Sequence, residues 1–182
     1  MRTINRVVIH CSDSDNPKHD DIRIIDQWHK ERGWESPSGI HCGYHWFINK
    51  SGIIQQGRPE SEIGSHVKGH NQDSIGVCLS GRYHFYKGQV LALKRLFSDI
   101  RLRYGDVQIL GHKDLDPKKT CPNISMDYVR SMIAPYVRDM KDPVPLAKDE
   151  PQKVLKKKPA PKKKTGKGIQ TDPVSTDKLK DK

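Results

Sequence analysis

The sequence predicts an α/β domain, a mixed central β-sheet covered by helices. Three observations point to it. Short apolar or β-branched runs (Val7-Val8-Ile9, Ile75 to Leu79, Val107 to Leu110) alternate with longer stretches of helical period. Each run ends at a glycine or in a Ser/Asp/Asn/Pro cluster. No run of about 18 apolar residues, the length that spans a bilayer, interrupts the pattern.

Asn5 to His10 is the first predicted strand, stopping in a Ser/Asp/Asn/Pro loop. Asp20 to Arg32 is a predicted helix: Ile22, Ile25, Trp28 and His29 share one face, and Gly33 supplies the stop. Tyr44 to Ile48 and Gly52 to Gln56 form two strands around an Asn49-Lys50-Ser51-Gly52 turn. Ile75 to Leu79 is a further buried strand. Residues 89–104 place Val90, Leu93, Phe97, Ile100 and Tyr104 at helical spacing before Gly105. Val107 to Leu110 is a strand that delivers His112 just past its end. Ser125 caps a last helix running to about Arg138, which Pro135 kinks or shortens.

The chain has 182 residues and a net charge of +11. Residues 141–182 hold 13 lysines against 6 acids, no arginine, no aromatic residue and half of the 12 prolines. Such a segment cannot bury enough apolar surface to offset ordering entropy, so it is expected to be disordered. The division predicted is one compact domain over residues 1–140 and a Lys/Pro-rich tail over 141–182. Lysine triplets at 156–158 and 162–164 flank Pro159-Ala160-Pro161, which keeps the tail extended. Two readings of the tail stay open: a plain solvated segment, or one drawn electrostatically to an anionic cell envelope. Without interleaved aromatics for base stacking, specific nucleic-acid recognition is not expected. The domain is expected to act as a monomer.

Cys11, Cys42, Cys78 and Cys121 show no CxxC spacing, and in a reducing cytosol they are expected to be thiols, buried or metal-bound. Met1 to Ser12 lacks the apolar stretch and cleavage site of a secretory signal. Synthesis in the cytoplasm follows, with some other means of release if the target lies outside the membrane.

His10 and His112 each follow an apolar strand, where α/β sheets place binding groups. Cys121 follows His112 with eight residues between, long enough for a loop to turn back on the strand end. Two imidazoles and a thiolate make three ligands for a tetrahedral Zn²⁺, with the fourth position left to water. A local rival is His41, Cys42 and His45, although strand alternation puts Cys42 on the opposite face from the two histidines. Cys11, beside His10, faces away by the same rule and suits a buried thiol.

A longer run of motifs carries a resemblance. It comprises Val7 to Ser12, Ile22 to Trp34, Gly43 to Ile48, Gly57-Arg58-Pro59, Gly64 to Asn71, Ser74 to Leu79, and Gly111-His112 through Cys121-Pro122. In these residues, over about 5–138, the chain resembles the zinc-dependent N-acetylmuramoyl-L-alanine amidases of type 2, the superfamily shared with peptidoglycan recognition proteins. The T-odd phage lysozymes, or endolysins, look most alike. The resemblance implies an amidase-like fold, zinc on His10, His112 and Cys121, and Tyr44 and Lys119 as the catalytic pair. It implies cleavage of the amide between the lactyl group of N-acetylmuramic acid and L-alanine in peptidoglycan, and so a phage or prophage lysis enzyme acting in the periplasm or cell wall. It also keeps in view a non-catalytic peptidoglycan-binding module and an additional binding role toward a phage RNA polymerase.

From the residues alone, Tyr44 reads as a strand aromatic packing on the core and Lys119 as a solvated loop lysine; the resemblance is what assigns them to catalysis. It further suggests that the Gly-flanked loop of His66, His70 and Asn71 lines a substrate groove, with a surface turn as the other reading for His70. Arg58 either meets a stem-peptide carboxylate or pins its loop. Trp34, at a helix end, is the candidate glycan contact, whereas Trp28, Trp46 and His45 suit the core. The segment Ser36 to Cys42 is longer than the shortest phage pattern, which predicts a reshaped groove beside Tyr44.

Overall fold

A computed structural model describes residues 2–133. The elements follow in the order β1 (Arg6–Cys11), α1 (Ile22–Glu31), β2 (Trp46–Ile48), β3 (Ile54–Gln56), β4 (Ser74–Leu79), α2 (Lys87–Tyr104), β5 (Gln108–Gly111), α3 (His112–Leu115) and α4 (Met126–Ile133). A short 3-10 turn (Pro17–His19) precedes α1. The five strands form one sheet in the order β3-β2-β4-β1-β5. β2, β4, β1 and β5 run parallel, and β3 pairs antiparallel at the edge. The mixed, helix-covered sheet is the architecture the alternation predicted.

The two faces of the sheet follow the period of two along each strand. Val7, Ile9, Val77 and Leu79 point to the side packed by Leu93, Leu96, Phe97 and Ile100 of α2 and by Met126 and Val129 of α4. The residues between them turn the other way: Phe47 and Cys78 pack with Ile25 of α1 and Cys42. His10 belongs to this second face by register, and it is buried. Gln89 bolts α2 to the sheet: its amide donates to the carbonyls of Ile48 (3.3 Å) and Ser80 (2.8 Å), and its oxygen accepts from the Tyr86 N–H. A buried amide thus meets its polar needs at the strand ends.

Several boundaries differ from those predicted. β2 begins at Trp46 rather than Tyr44, because the backbones of Tyr44 and His45 bond instead to Arg58, Gly57 and Gly76. β3 starts at Ile54, since Asn49 Oδ1 accepts from the Ile53 N–H at 2.8 Å and holds the turn. His112 opens a short helix, α3, where Asp114 accepts from the Gly111 N–H (2.9 Å) and pairs with Arg130 on α4 (3.0 Å). Ser125 does cap α4, accepting from the Tyr128 N–H. The continuation to Arg138, the Pro135 kink and the tail 141–182 lie outside the described residues.

Arg2 fastens the long loop between β3 and β4. Its guanidinium donates to the carbonyls of Glu60 (2.9 Å), Glu62, Asn71 (2.7 Å), Gln72 (3.0 Å) and Ser74 (3.0 Å). Charge-assisted bonds of this kind contribute roughly 1.5–3 kcal/mol each when a charged partner is lost. Arg2→Ala is expected to lower stability by about 2–3 kcal/mol, read as a shift of the urea midpoint. An unchanged midpoint would mean that the loop holds itself.

Candidate functional site

The parallel pairing of β1 with β5 brings two distant histidines together. Ile9 faces Gly111 in the register, so His10 and His112 are the next residues on adjacent strand ends. Their rings lie 4.6 Å apart. The loop after α3 then returns: the Lys113 N–H donates to the Cys121 carbonyl at 3.0 Å, and the Cys11 N–H donates to Cys121 Sγ at 3.0 Å. One ligand atom from each of His10, His112 and Cys121 falls within 4.8 Å of the others. Among the described residues no other group of His, Cys, Asp and Glu converges in this way.

The donor set fits a cation. Burial and the facing His112 ring lower the His10 pKa well below its ordinary value, and burial with the Lys119 ammonium lowers that of His112. Both imidazoles are therefore neutral near pH 7, the form that binds metal. The adjoining Cys11 thiol and burial hold the Cys121 thiol above its ordinary range. A cation displaces such a proton outright, and the Cys11 N–H aimed at the sulfur favours the resulting thiolate. Tetrahedral bonds of about 2.0–2.3 Å set ligand atoms about 3.3–3.6 Å apart, so the three side chains would close inward around a cation from this spacing.

A cavity of about 780 Å³ opens over the three residues. Tyr44 and Lys119 both line it. The Tyr44 ring is 5.0 Å from that of His10, and burial raises its pKa well above the ordinary value, so the phenol keeps its proton. Trp34, His66 and Asn71 line the cavity too. His66 is buried, with Nδ1 3.0 Å from His10 Nε2. Asn71 Oδ1 accepts from the His66 and Val67 N–H groups, which shapes the loop from within.

Two predicted contacts are placed elsewhere. Arg58 is buried at 3% exposure and does not line the cavity. Its guanidinium donates to the carbonyls of Cys42 (3.1 Å) and Ile63 (2.7 Å), so of the two readings it is the loop pin. His70 also stays off the cavity, with Nδ1 3.2 Å from Arg6 and its carbonyl accepting from Ser74. The rival ligand set does not assemble: His41 Nδ1 bonds to the Trp34 carbonyl, burial pushes the Cys42 thiol up to about 12, and His45 is held between Gly76 and Glu62. None of residues 36–42 lines the cavity. Asp26 of α1 accepts from the His41 (2.9 Å) and Cys42 (2.7 Å) N–H groups and draws the segment against the helix.

Sequence reasoning missed His29 and Arg32 at the end of α1, both of which line the cavity. The Gly43 N–H donates to His29 Nδ1 at 2.9 Å, so the ring proton of the neutral imidazole sits on Nε2. Its apolar neighbours on the helix face made His29 read as core; a polar residue on that stripe was the signal. Arg32 lies 5.7 Å over the Trp34 ring.

Comparison with known proteins supplies the context. The family profile described as N-acetylmuramoyl-L-alanine amidase matches residues 1–124. The chain is 34% identical to the endolysin of Klebsiella phage KP32 over 130 residues, covering 67% of this chain and 82% of that one. Among solved structures it is similar to the N-acetylmuramoyl-L-alanine amidase LysC from Clostridium intestinale, with a TM-score of 0.64, 30% identity, and 73% and 87% of the two chains covered. It is also similar to a point mutant of Drosophila PGRP-LB in complex with tracheal cytotoxin, with a TM-score of 0.57, 27% identity, and 67% and 76% covered.

Proposed function

The chain belongs to the N-acetylmuramoyl-L-alanine amidase family, and from that premise we propose that it cuts peptidoglycan with a zinc ion held by His10, His112 and Cys121, and with Tyr44 and Lys119 as the catalytic pair. It is a hydrolase of the amide between N-acetylmuramic acid and L-alanine. The observation that carries the site assignment is the convergence of all five residues on one cavity. When bound, zinc supplies a Lewis acid for the lactyl carbonyl and an acidified water near neutral pH.

The chain's own residues account for the rest. The Lys119 ammonium, exposed at the cavity wall, adds positive charge where the carbonyl oxygen becomes negative. The Tyr44 phenol, held protonated by burial, orients the attack and hands a proton toward the departing amine. His29 presents a neutral Nε2–H, and Trp34 offers a flat face suited to a sugar ring. The substrate is the muramyl stem peptide of peptidoglycan. Among the described residues no helix is long and apolar enough to cross a membrane.

The test is a digest of purified peptidoglycan read by mass spectrometry. Stem peptides with a new L-alanine amine are expected, abolished by a chelator and restored by Zn²⁺. Tyr44→Phe is expected to slow their release about 100-fold with metal content unchanged. Equal rates for wild type and Tyr44→Phe would remove the tyrosine from the chemistry, and cleavage between sugars would overturn the bond assignment.

A further inference from the structure

Behind His10 runs a line of hydrogen bonds that leads away from the cavity. His10 Nε2 is 3.0 Å from His66 Nδ1, His66 Nε2 is 3.3 Å from Ser74 Oγ, and Ser74 Oγ is 2.6 Å from the His70 carbonyl oxygen. His10, His66 and Ser74 are 1%, 8% and 0% exposed. The line has one consistent assignment of protons, fixed from its far end. A carbonyl oxygen only accepts, so the single Ser74 hydroxyl hydrogen goes to His70. Ser74 Oγ must then accept from His66 Nε2–H. A neutral His66 carries one ring hydrogen, so its Nδ1 is a lone pair and must accept from His10 Nε2–H. The remaining lone pair of His10 sits on Nδ1. The alternative, an imidazolium at His66, is a buried charge whose bonded partners are an imidazole and a hydroxyl rather than a carboxylate, and burying such a charge is costly.

The slot that holds His66 is built for a flat ring. A Cβ at Gly76 would stand 2.6 Å from His66 Cγ and Cδ2, and one at Gly64 would stand 2.5 Å from Cδ2. Any other residue at either position would push the imidazole out of line. Asn71 fixes the same residue through its backbone N–H at 3.0 Å.

We infer that His66 is a positioning residue of the metal centre: directed by Ser74, it locks His10 in the Nε2–H tautomer and so presents Nδ1 to the cation. This rests on His10 being a metal ligand. It moves His66 from contact with substrate, the role the resemblance suggested, to control of which nitrogen binds. A metal-bound histidine whose other N–H is held by a fixed acceptor is oriented before the cation arrives, and losing such an acceptor typically costs 10- to 100-fold in metal affinity.

The full chain loaded with Zn²⁺ and labelled with ¹⁵N tests this without any substitution. The ring-nitrogen spectra should show His10 with hydrogen on Nε2 and metal on Nδ1, and His66 neutral with hydrogen on Nε2. A doubly protonated His66, or His10 bound through Nε2, overturns the inference. In competition with a chromophoric chelator, His66→Phe is expected to weaken Zn²⁺ binding about 10- to 100-fold, His66→Gln to recover part of the loss through its amide oxygen, and Ser74→Ala to weaken it about 3- to 10-fold. Circular dichroism of the metal-free variants separates misfolding from loss of the acceptor. If His10→Ala leaves Zn²⁺ affinity unchanged, it is the ligand assignment that fails. If His10→Ala abolishes binding while His66→Phe matches wild type in affinity, the positioning role alone fails.

Discussion

Cys121→Ser is expected to lower peptidoglycan hydrolysis by at least about 1,000-fold, equivalent to about 4 kcal/mol of transition-state stabilisation, and to leave the purified protein short of metal. In the proposed donor set the sulfur would be the anionic member once a cation displaces its proton, and it sits where the Cys11 N–H meets it at 3.0 Å. A serine hydroxyl keeps the shape but does not ionise readily, so the cation loses both a ligand and its charge neutralisation. Cys11→Ser is the informative control: it keeps the backbone N–H that donates to Cys121 Sγ and changes only the side chain beside that sulfur. Metal content by mass spectrometry and stem-peptide release, measured side by side on both variants, decide the matter. A Cys121→Ser protein that binds zinc and cuts at the wild-type rate would remove Cys121 from the ligand set.

Acid should weaken the domain well before its carboxylates are protonated. His29 and His45 are 4% and 0% exposed, and each accepts a backbone N–H at Nδ1, from Gly43 and Gly76 respectively, at 2.9 Å. An imidazolium has no lone pair for that bond. Burial above all, with Arg32 beside His29 and Arg2 beside His45, lowers both pKa values from 6.5 to about 4. Between these limits the unfolded chain takes up protons that the native fold refuses, so stability rises with pH. It is complete above about pH 6.5 and declines as the pH falls toward 4. A shift of this size is on the order of 3 kcal/mol per histidine, a large part of the roughly 5–15 kcal/mol typical of a domain. Urea midpoints at pH 7.5, 6, 5 and 4 should fall steadily; a flat profile from pH 6.5 to 4.5 would show that these histidines titrate normally.

The fold was legible because its signals are local. β-branched runs, two helical periods and the glycines at their ends are properties of neighbouring residues, and they located β1, α1, β4, α2 and β5 with modest errors at the ends. The convergence of the candidate metal-ligand group was legible for a related reason: residues at the ends of parallel strands declare themselves by position, and two such strands had to lie close in one small sheet. What stayed hidden depended on partners far along the chain. Nothing near Arg58 says that its guanidinium will close on the carbonyls of Cys42 and Ile63 rather than face a ligand. Nothing near His66 names His10, and His29 looks apolar until the Gly43 N–H arrives from another loop. Motif similarity located these residues on the correct side of the molecule but could not distinguish a wall of the cavity from the support behind it.

The register that sets Ile9 against Gly111 has a consequence for when the enzyme can work. Its three candidate metal ligands stand at positions 10, 112 and 121, so no early fragment emerging from the ribosome holds the complete set. On the proposed ligand set, capture of an ion would have to await synthesis of nearly the whole domain and closure of the outermost parallel pair, a slow long-range step. An ion bound there would stabilise only the finished form, by mass action. On the proposed ligand set, the amidase stays without its metal throughout translation and gains its activity only once the last strand of the sheet is in place.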